Sequence, residues 1–335
     1  MLHILFDEVR DELQRILLLR NCPLKKAQKV AHEMARNSLE GVYSHGINRF
    51  PRLMRNIDAG IVHPDADPVV LNHFGALMSM DGNLGLGVVN ASIAMDHAIA
   101  LAKEHGIGLV ALRNTNHWMR AATYGYQACD AGMAAICFSN TIPNMPTWGA
   151  MDARLGNNPM VLAIPREGGH VLLDMAASQF SYGALELAQL QGRQMPIDAG
   201  FDEEGNLTRD PATVIRTRRI LPTGYWKGAG LSFLLDLFAG CMSLGNTSLG
   251  VGKLPGDEHG QSQMFIGINY RAIAPKELSD KIADEAVEYL LASRKDSKTE
   301  RIVYPGQRMN ESREKNLHQG IPVDERIWAE IKAFG

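Results

Sequence analysis

The chain has 335 residues, 34 Lys and Arg against 37 Asp and Glu, and a formal net charge of -3. Without a basic excess it has no electrostatic hold on phosphate backbones, which argues against a nucleic-acid binder, and 45% hydrophobic residues is too apolar for disorder. One large domain, or two ordinary ones, is expected at this length.

In chain order, the pattern opens with helix from residue 5 to 40, broken at Asn21-Cys22-Pro23, with Leu13, Ile16 and Leu17 on an apolar stripe. A third helix is predicted over Ile47 to Asp58, with Gly60 as its C-terminal stop. Pro64 to Pro68 reads as a linker, so residues 1–66 form the first part of a helical domain. Strands are predicted at 69–73, 76–81, 107–112, 134–138, 161–164, 171–173 and 264–268, with helices at 88–106, 124–132, 230–244 and 277–293. Residues 67–305 are thus a mixed α/β body, and 306–335 return to polar, helical character. Asp7, Glu8 and Arg10 break the first apolar stretch, and Leu231 to Met242 is too short to span a membrane. The expectation is a soluble cytoplasmic protein with no membrane or nucleic-acid partner. Cys22, Cys129, Cys137 and Cys241 lack CxxC spacing and are expected as buried free thiols.

Four segments stand out for their glycines or acids. Gly82-Asn83-Leu84-Gly85-Leu86-Gly87 lies between a strand and a helix, but its GxxGxG spacing is not the GxGxxG that a Rossmann pyrophosphate turn needs, and it reads as structural. Gly224-Tyr225-Trp226-Lys227-Gly228 precedes a helix, the setting for an anion contact or a plain loop. Asp174 ends a predicted strand, where an acid holds ribose hydroxyls or caps a helix. Pro305-Gly306-Gln307-Arg308 is a turn by its chemistry.

Ser44-His45-Gly46-Ile47-Asn48-Arg49 is the sharpest local signal. A histidine moves protons near neutral pH, and an arginine holds a carboxylate through two parallel hydrogen bonds, so His45 and Arg49 together suit a 2-oxo acid. Ser44 would cap the helix or tune His45. His117, in Asn114 to Arg120 after a buried strand, is a second acid/base or carbonyl-polarising candidate. The amides Asn140, Asn144, Asn157 and Asn158 suit either turns or a polyhydroxylated ligand. No metal site is expected: His32-Glu33 and Asp257-Glu258-His259 lack partners at ligand spacing.

Ser44-His45-Gly46-x-x-Arg49, Asn116-His117, Gly156-x-Asn158-Pro159, Asp174-Met175-Ala176, Lys227-Gly228-x-Gly230 and Pro305-Gly306 stand in an order that resembles the malate/L-sulfolactate/ureidoglycolate dehydrogenase family. The resemblance runs collinearly from about residue 5 to 330. It implies a non-Rossmann nicotinamide-binding α/β domain, a helical domain built from both chain termini, and a homodimer. It also implies an NAD(P)H-dependent oxidoreductase, with NADH expected over NADPH. The implied reaction is reduction of a 2-oxo sugar acid, 2,3-diketo-L-gulonate to 3-dehydro-L-gulonate. Alternatives are malate, sulfolactate, ureidoglycolate or a cyclic imino acid as substrate, or a non-catalytic sugar-acid binder. His45 matches the family's proton-donating histidine; Arg49, His117 and Ser44 complete the expected catalytic set. The cofactor stretches fall on His170, Val171, Leu172, Leu173, Asp174, Met175 and Ala176, on Trp226 and Lys227, and on Gly306, Gln307 and Arg308. Two positions depart from the family pattern: Arg308 stands where members commonly carry an acid, and Ala177 where many carry a hydroxyl.

Overall fold

The computed structural model describes residues 1–297 and 299–335. From the N-terminus, β1 (Leu2–Ile4) leads into α1 (Phe6–Leu18) and α2 (Leu24–Leu39), and two 3-10 turns precede α3 (Phe50–Asp58). There follow β2 (Val69–Phe74), β3 (Leu77–Asp81), α4 (Gly87–His105), β4 (Ile107–Thr115), α5 (Ala122–Asp130) and β5 (Ala134–Ser139). Short strands β6 (Met145–Pro146) and β7 (Ala153–Leu155) come before the hairpin of β8 (Met160–Ile164) and β9 (Val171–Met175). Next are α6 (Tyr182–Leu190), β10 (Gly200–Phe201), β11 (Leu207–Thr208), α7 (Pro211–Thr217), α8 (Trp226–Ser243) and α9 (Ser248–Val251). The chain ends with β12 (Gln261–Ile268), α10 (Lys276–Leu291), α11 (Gln307–Gln319), β13 (Ile321–Val323) and α12 (Glu325–Lys332).

Seven strands form one mixed sheet in the order β2-β3-β4-β12-β5-β8-β9. Within it only β3 and β4 run parallel, joined through α4; the other pairs are antiparallel. One βαβ unit in an otherwise antiparallel sheet is not a doubly wound nucleotide fold. It explains why the 82–87 glycines resemble a Rossmann turn in sequence without being one.

Leu13, Met34 and Phe50 of the first three helices share a buried core with Ile321, Trp328 and Ile331 from the end of the chain. β1 pairs with β13, so both ends are tied by a ladder as well as by packing. A second core, including Met95, Tyr124 and Phe265, fills the space between α4, α5 and the sheet. No helix of the described residues is long and apolar enough to cross a membrane.

Several boundaries differ from the sequence pattern. The helix predicted from Ile47 starts at Phe50, behind 3-10 turns at Tyr43–His45 and Ile47–Arg49; Pro51 sits in its first turn, where a missing N–H costs nothing. α8 begins at Trp226 and not Gly230, so Lys227 lies in its first turn. β12 begins at Gln261, ahead of the predicted Met264, because Gln261, Ser262 and Gln263 are buried in spite of their polarity. The cysteines are free, but Cys241 is exposed, contrary to expectation. It lies on α8, which is apolar on nearly all sides in sequence and leaves Phe233, Phe238 and Met242 exposed.

Candidate active site

His45 is held by its backbone. Gly46 lies so close to α2 that a Cβ there would overlap the Ser38 hydroxyl oxygen. The Ile47 N–H donates to that oxygen at 2.8 Å, and Asn37 Nδ2 donates to the His45 carbonyl at 2.9 Å. Two hydrogen bonds and one steric contact therefore fix where the ring starts. Ser44 Oγ lies 2.9 Å from His45 Nδ1. Burial, with the charges of Arg49 and Arg120, pushes the His45 pKa down to about 4.

His117 stacks on His45 with ring centroids 5.7 Å apart and planes inclined by 27°. Its Nδ1 accepts the Met119 N–H at 3.0 Å, so the neutral ring carries its proton on Nε2. Burial and the nearby Arg49 hold His117 well below the ordinary histidine range. Both imidazoles are thus neutral near pH 7.

The first glycine cluster supports this loop. Gly82 N–H donates to Arg113 O and Leu84 N–H to Asn114 O, each at 2.9 Å. Asn116 Nδ2 donates to Leu84 O at 2.7 Å and to Gly85 O at 2.9 Å. A Cβ on Gly87 would overlap the carbonyl oxygens of Asn116 and His117. Residues 82–87 make a structural turn, as their spacing indicates, and the turn seats His117.

Arg49 lies 3.6 Å from Glu258, beyond hydrogen-bonding distance. Arg52 is committed elsewhere: two of its nitrogens grip both oxygens of Asp257, which also accepts from Asn56 Nδ2 at 3.0 Å. Burial works to raise the pKa of Asp257, but these bonds and the Arg52 charge outweigh it and hold the carboxyl well below its usual range. Arg49, Arg52, Asn116, His117, Asp257 and Glu258 line one small cavity of about 20 Å³. The sequence pattern weighs Asp257 and Glu258 only as metal ligands, rejects that role for want of partners at ligand spacing, and gives no hint of their place beside the arginines. No local signal exists, since the two partners of the Arg52–Asp257 pair are 205 positions apart.

The three stretches expected at the cofactor meet through backbone bonds. Leu172 N–H donates to Pro305 O at 3.0 Å, which lays Gly306 on β9; a Cβ on Gly306, at φ 102°, would stand 3.1 Å from His170 O. Thr223 N–H donates to Ala177 O at 2.9 Å, and a Cβ on Gly228 would meet the same oxygen at 2.8 Å, which docks the start of α8 on the end of β9. Asp174 Oδ2 accepts the Ala122 N–H at 2.9 Å, so the acid caps α5 just beyond the His117 loop. Asp174 is exposed as a residue, yet its carboxyl is walled closely enough by protein that its pKa is raised.

The side chains of these stretches divide. Asp174, Leu173, Trp226, Lys227 and Arg308 are exposed. The Arg308 side chain makes no hydrogen bond or close ion pair among the described residues, and its charge helps to hold the Glu311 carboxyl down. Val171, Met175, Ala176 and Gln307 are half-buried. Leu172 points into the second core, and His170 is spent on its hairpin, with Nδ1 accepting from Arg166 N–H and Nε2 3.1 Å from Asp130. These two side chains are turned to the protein itself. An acid, a lysine in a helix's first turn and a glycine at positive φ, gathered at one strand, are groups of the kind that suit a dinucleotide. The loop amides serve the protein itself: Asn158 accepts Thr141 N–H and donates to Ser232, Asn140 donates to Asp236, and Asn144 donates to Asn157.

The model of the malate/L-lactate dehydrogenase family matches residues 4–332. This chain belongs to that family of oxidoreductases. It is 41% identical to the 2,3-diketo-L-gulonate reductase of Citrobacter koseri over 331 residues, 99% of each chain. Among solved structures it resembles the sulfolactate dehydrogenase of Methanocaldococcus jannaschii (TM-score 0.91, 28% identity, 99% of this chain and 96% of that one). The malate dehydrogenase of Pyrococcus horikoshii is as similar (TM-score 0.91, 29% identity, 99% and 94%). The α/β fold and the oxidoreductase class expected from the motifs are both shown, and the family implies a nicotinamide cofactor.

Proposed function

We propose that this protein is an NADH-dependent reductase of a 2-oxo sugar acid, with 2,3-diketo-L-gulonate reduced to 3-dehydro-L-gulonate. The observation that carries this reading is the neutral His45–His117 stack. His117 shares a cavity with Arg49, and its loop runs to the start of α5 that Asp174 caps. The name of the 41% identical relative supports the choice of substrate.

A dinucleotide lying along Asp174, Lys227 and Gly306 would supply hydride to the keto carbon. Asp174 would accept from ribose hydroxyls, and its charge would repel a 2′-phosphate, which favours NADH over NADPH. Arg49 holds the substrate carboxylate. That carboxylate offsets one of the two cations that depress His45, so His45 gains proton affinity when substrate arrives and takes up a proton from solvent. His45 then gives its proton to the developing alkoxide, while Ser44 Oγ steadies the ring through Nδ1. His117 Nε2–H is left to polarise the carbonyl or hold a hydroxyl.

In this reading residues 1–66 and 306–335 form one helical unit that presents His45 to the 67–305 body. The exposed face of α8, with Phe233, Leu234 and Phe238 each half exposed or more, is the surface proposed for a homodimer. The near-even charge balance fits a cytoplasmic enzyme acting on a small molecule. The test of function is nicotinamide consumption with a panel of acids: 2,3-diketo-L-gulonate, oxaloacetate, sulfopyruvate, a cyclic imino acid, and ureidoglycolate in the oxidative direction. The first is expected to give the highest kcat/KM. A higher value for another member assigns that substrate, and turnover of none overturns the proposal.

A further inference from the structure

Two acceptors in the His117 cavity are left without donors. Asn116 is 3% exposed and lines the cavity. Its Nδ2 is fixed on the carbonyls of Leu84 and Gly85, which settles the orientation of the amide, and Oδ1 has no partner among the described residues. A buried amide oxygen without a donor is costly unless a ligand or water supplies one. Glu258 is the second. Its Oε1 accepts from Ile142 N–H at 3.1 Å and Gln261 Nε2 at 3.3 Å, whereas among the described residues Oε2 meets only Arg49, at 3.6 Å. That separation leaves an acceptor position open in a side chain only 8% exposed.

The charges explain why this pair would select a hydroxyl. Arg52 is spent on Asp257, so Arg49 is the cation open to a substrate carboxylate. Once Arg49 turns to a carboxylate, Glu258 Oε2 needs another donor, an O–H or N–H. An apolar carbon there would strand the buried Asn116 oxygen and leave the Glu258 carboxylate oxygen without a donor, while a hydroxyl serves both. The cavity of about 20 Å³ has room for a water-sized group, which is the size of a hydroxyl.

We propose that Asn116 Oδ1 and Glu258 Oε2 form a hydroxyl-reading subsite that makes the enzyme select 2-oxo acids hydroxylated beyond the keto carbon over their deoxy counterparts. This rests on the reductase reading above and names the residues that set its substrate class. A site built to bond a hydroxyl rejects the analogue without it because its own polar groups go unpaired.

Two measurements test it. The first is calorimetric binding of threonate and of 2-hydroxybutyrate, a hydroxylated and a deoxy 2-hydroxy acid, to the wild-type protein with NADH present; it requires no turnover. Threonate is expected to bind roughly tenfold tighter or more, the effect of one good hydrogen bond to a charged group. The second is the ratio of kcat/KM for a 3-hydroxylated 2-oxo acid to that for 2-oxobutyrate, in wild type and in Glu258→Gln. Glutamine keeps the shape but can turn an N–H where Oε2 stood, so the ratio is expected to fall roughly tenfold. Equal binding of the two acids, or a ratio that Glu258→Gln leaves unchanged, overturns the subsite. Selective binding without turnover of any 2-oxo acid keeps the subsite and overturns the reductase reading. Turnover without selectivity does the reverse.

Discussion

The rings of His45 and His117 lie 5.7 Å apart in planes inclined by only 27°, and each is held below the ordinary histidine range. Two adjoining imidazoles, with Arg49 beside them, do not both carry charge. Protons therefore enter this site one at a time, and in the proposed reaction a substrate carboxylate would help to bring them.

The pH dependence follows from His45. Its pKa in the free enzyme is about 4, so His45 is neutral, and able to act as a base, at any higher pH. Oxidation of the hydroxy acid needs that base. Its kcat/KM is expected to stay level from neutral pH down to roughly one unit above that pKa, and to fall towards about 4. Reduction needs the protonated ring, so its kcat/KM should rise as pH falls over the same range. A pH–rate profile in both directions checks this. A break near the ordinary histidine value in the oxidative kcat/KM would contradict it.

Gly87 is expected to matter without touching substrate. A methyl there overlaps the carbonyl oxygens of Asn116 and His117, so Gly87→Ala must push the loop aside. Overpacking of this kind costs about 1–3 kcal/mol. The variant should lose Tm and kcat together. Gly75→Ala is the comparison: nothing lies within 4 Å of its Cβ, and its φ of 55° should cost some Tm while kcat is kept.

In the proposed cofactor site, opposing charges would set the choice of nucleotide. Asp174→Asn removes the repulsion of a 2′-phosphate and should lower the NADH/NADPH ratio of kcat/KM roughly tenfold. Arg308→Glu should raise the same ratio, since Arg308 is exposed and makes no close ion pair among the described residues. Paired kinetic measurements with both nucleotides decide it, and unchanged ratios in both variants would move the ribose site elsewhere.

Arg52 and Asp257 pin α3 to the segment before β12. The folded pKa of Asp257 is depressed, so its contribution is complete above the ordinary aspartate value and fades as pH falls towards the folded one. Because the pair is partly exposed, Asp257→Asn should cost only about 1 kcal/mol at neutral pH. The gap between the denaturant midpoints of wild type and variant should narrow progressively below about pH 4. A gap that stays constant with pH would mean that the loss is steric.

Much of this is legible in sequence because the signals are local. The order of Ser44-His45, Asn116-His117 and Asp174 indicates the family, and GxxGxG spacing excludes a Rossmann turn. What stays hidden depends on distant partners. The commitment of Arg52 to Asp257 and the open acceptor on Glu258 arise only when α3 meets the segment before β12. Gln261 and Gln263 look like loop residues until β4 and β5 flank them. Cys241 reads as buried along with the other cysteines because none has a pairing motif, but it lies on α8, which is apolar on nearly all sides, and composition does not say which side faces outward.

The most direct measurement is nicotinamide absorbance during reduction of 2,3-diketo-L-gulonate by wild type and by His45→Asn, with binding of NADH checked separately. The expected result is turnover by wild type and a loss of roughly 100-fold or more in kcat for His45→Asn, with NADH affinity retained. Equal rates in the two proteins, or no reduction by wild type, would contradict the assignment of this site as a histidine-driven 2-oxo acid reductase.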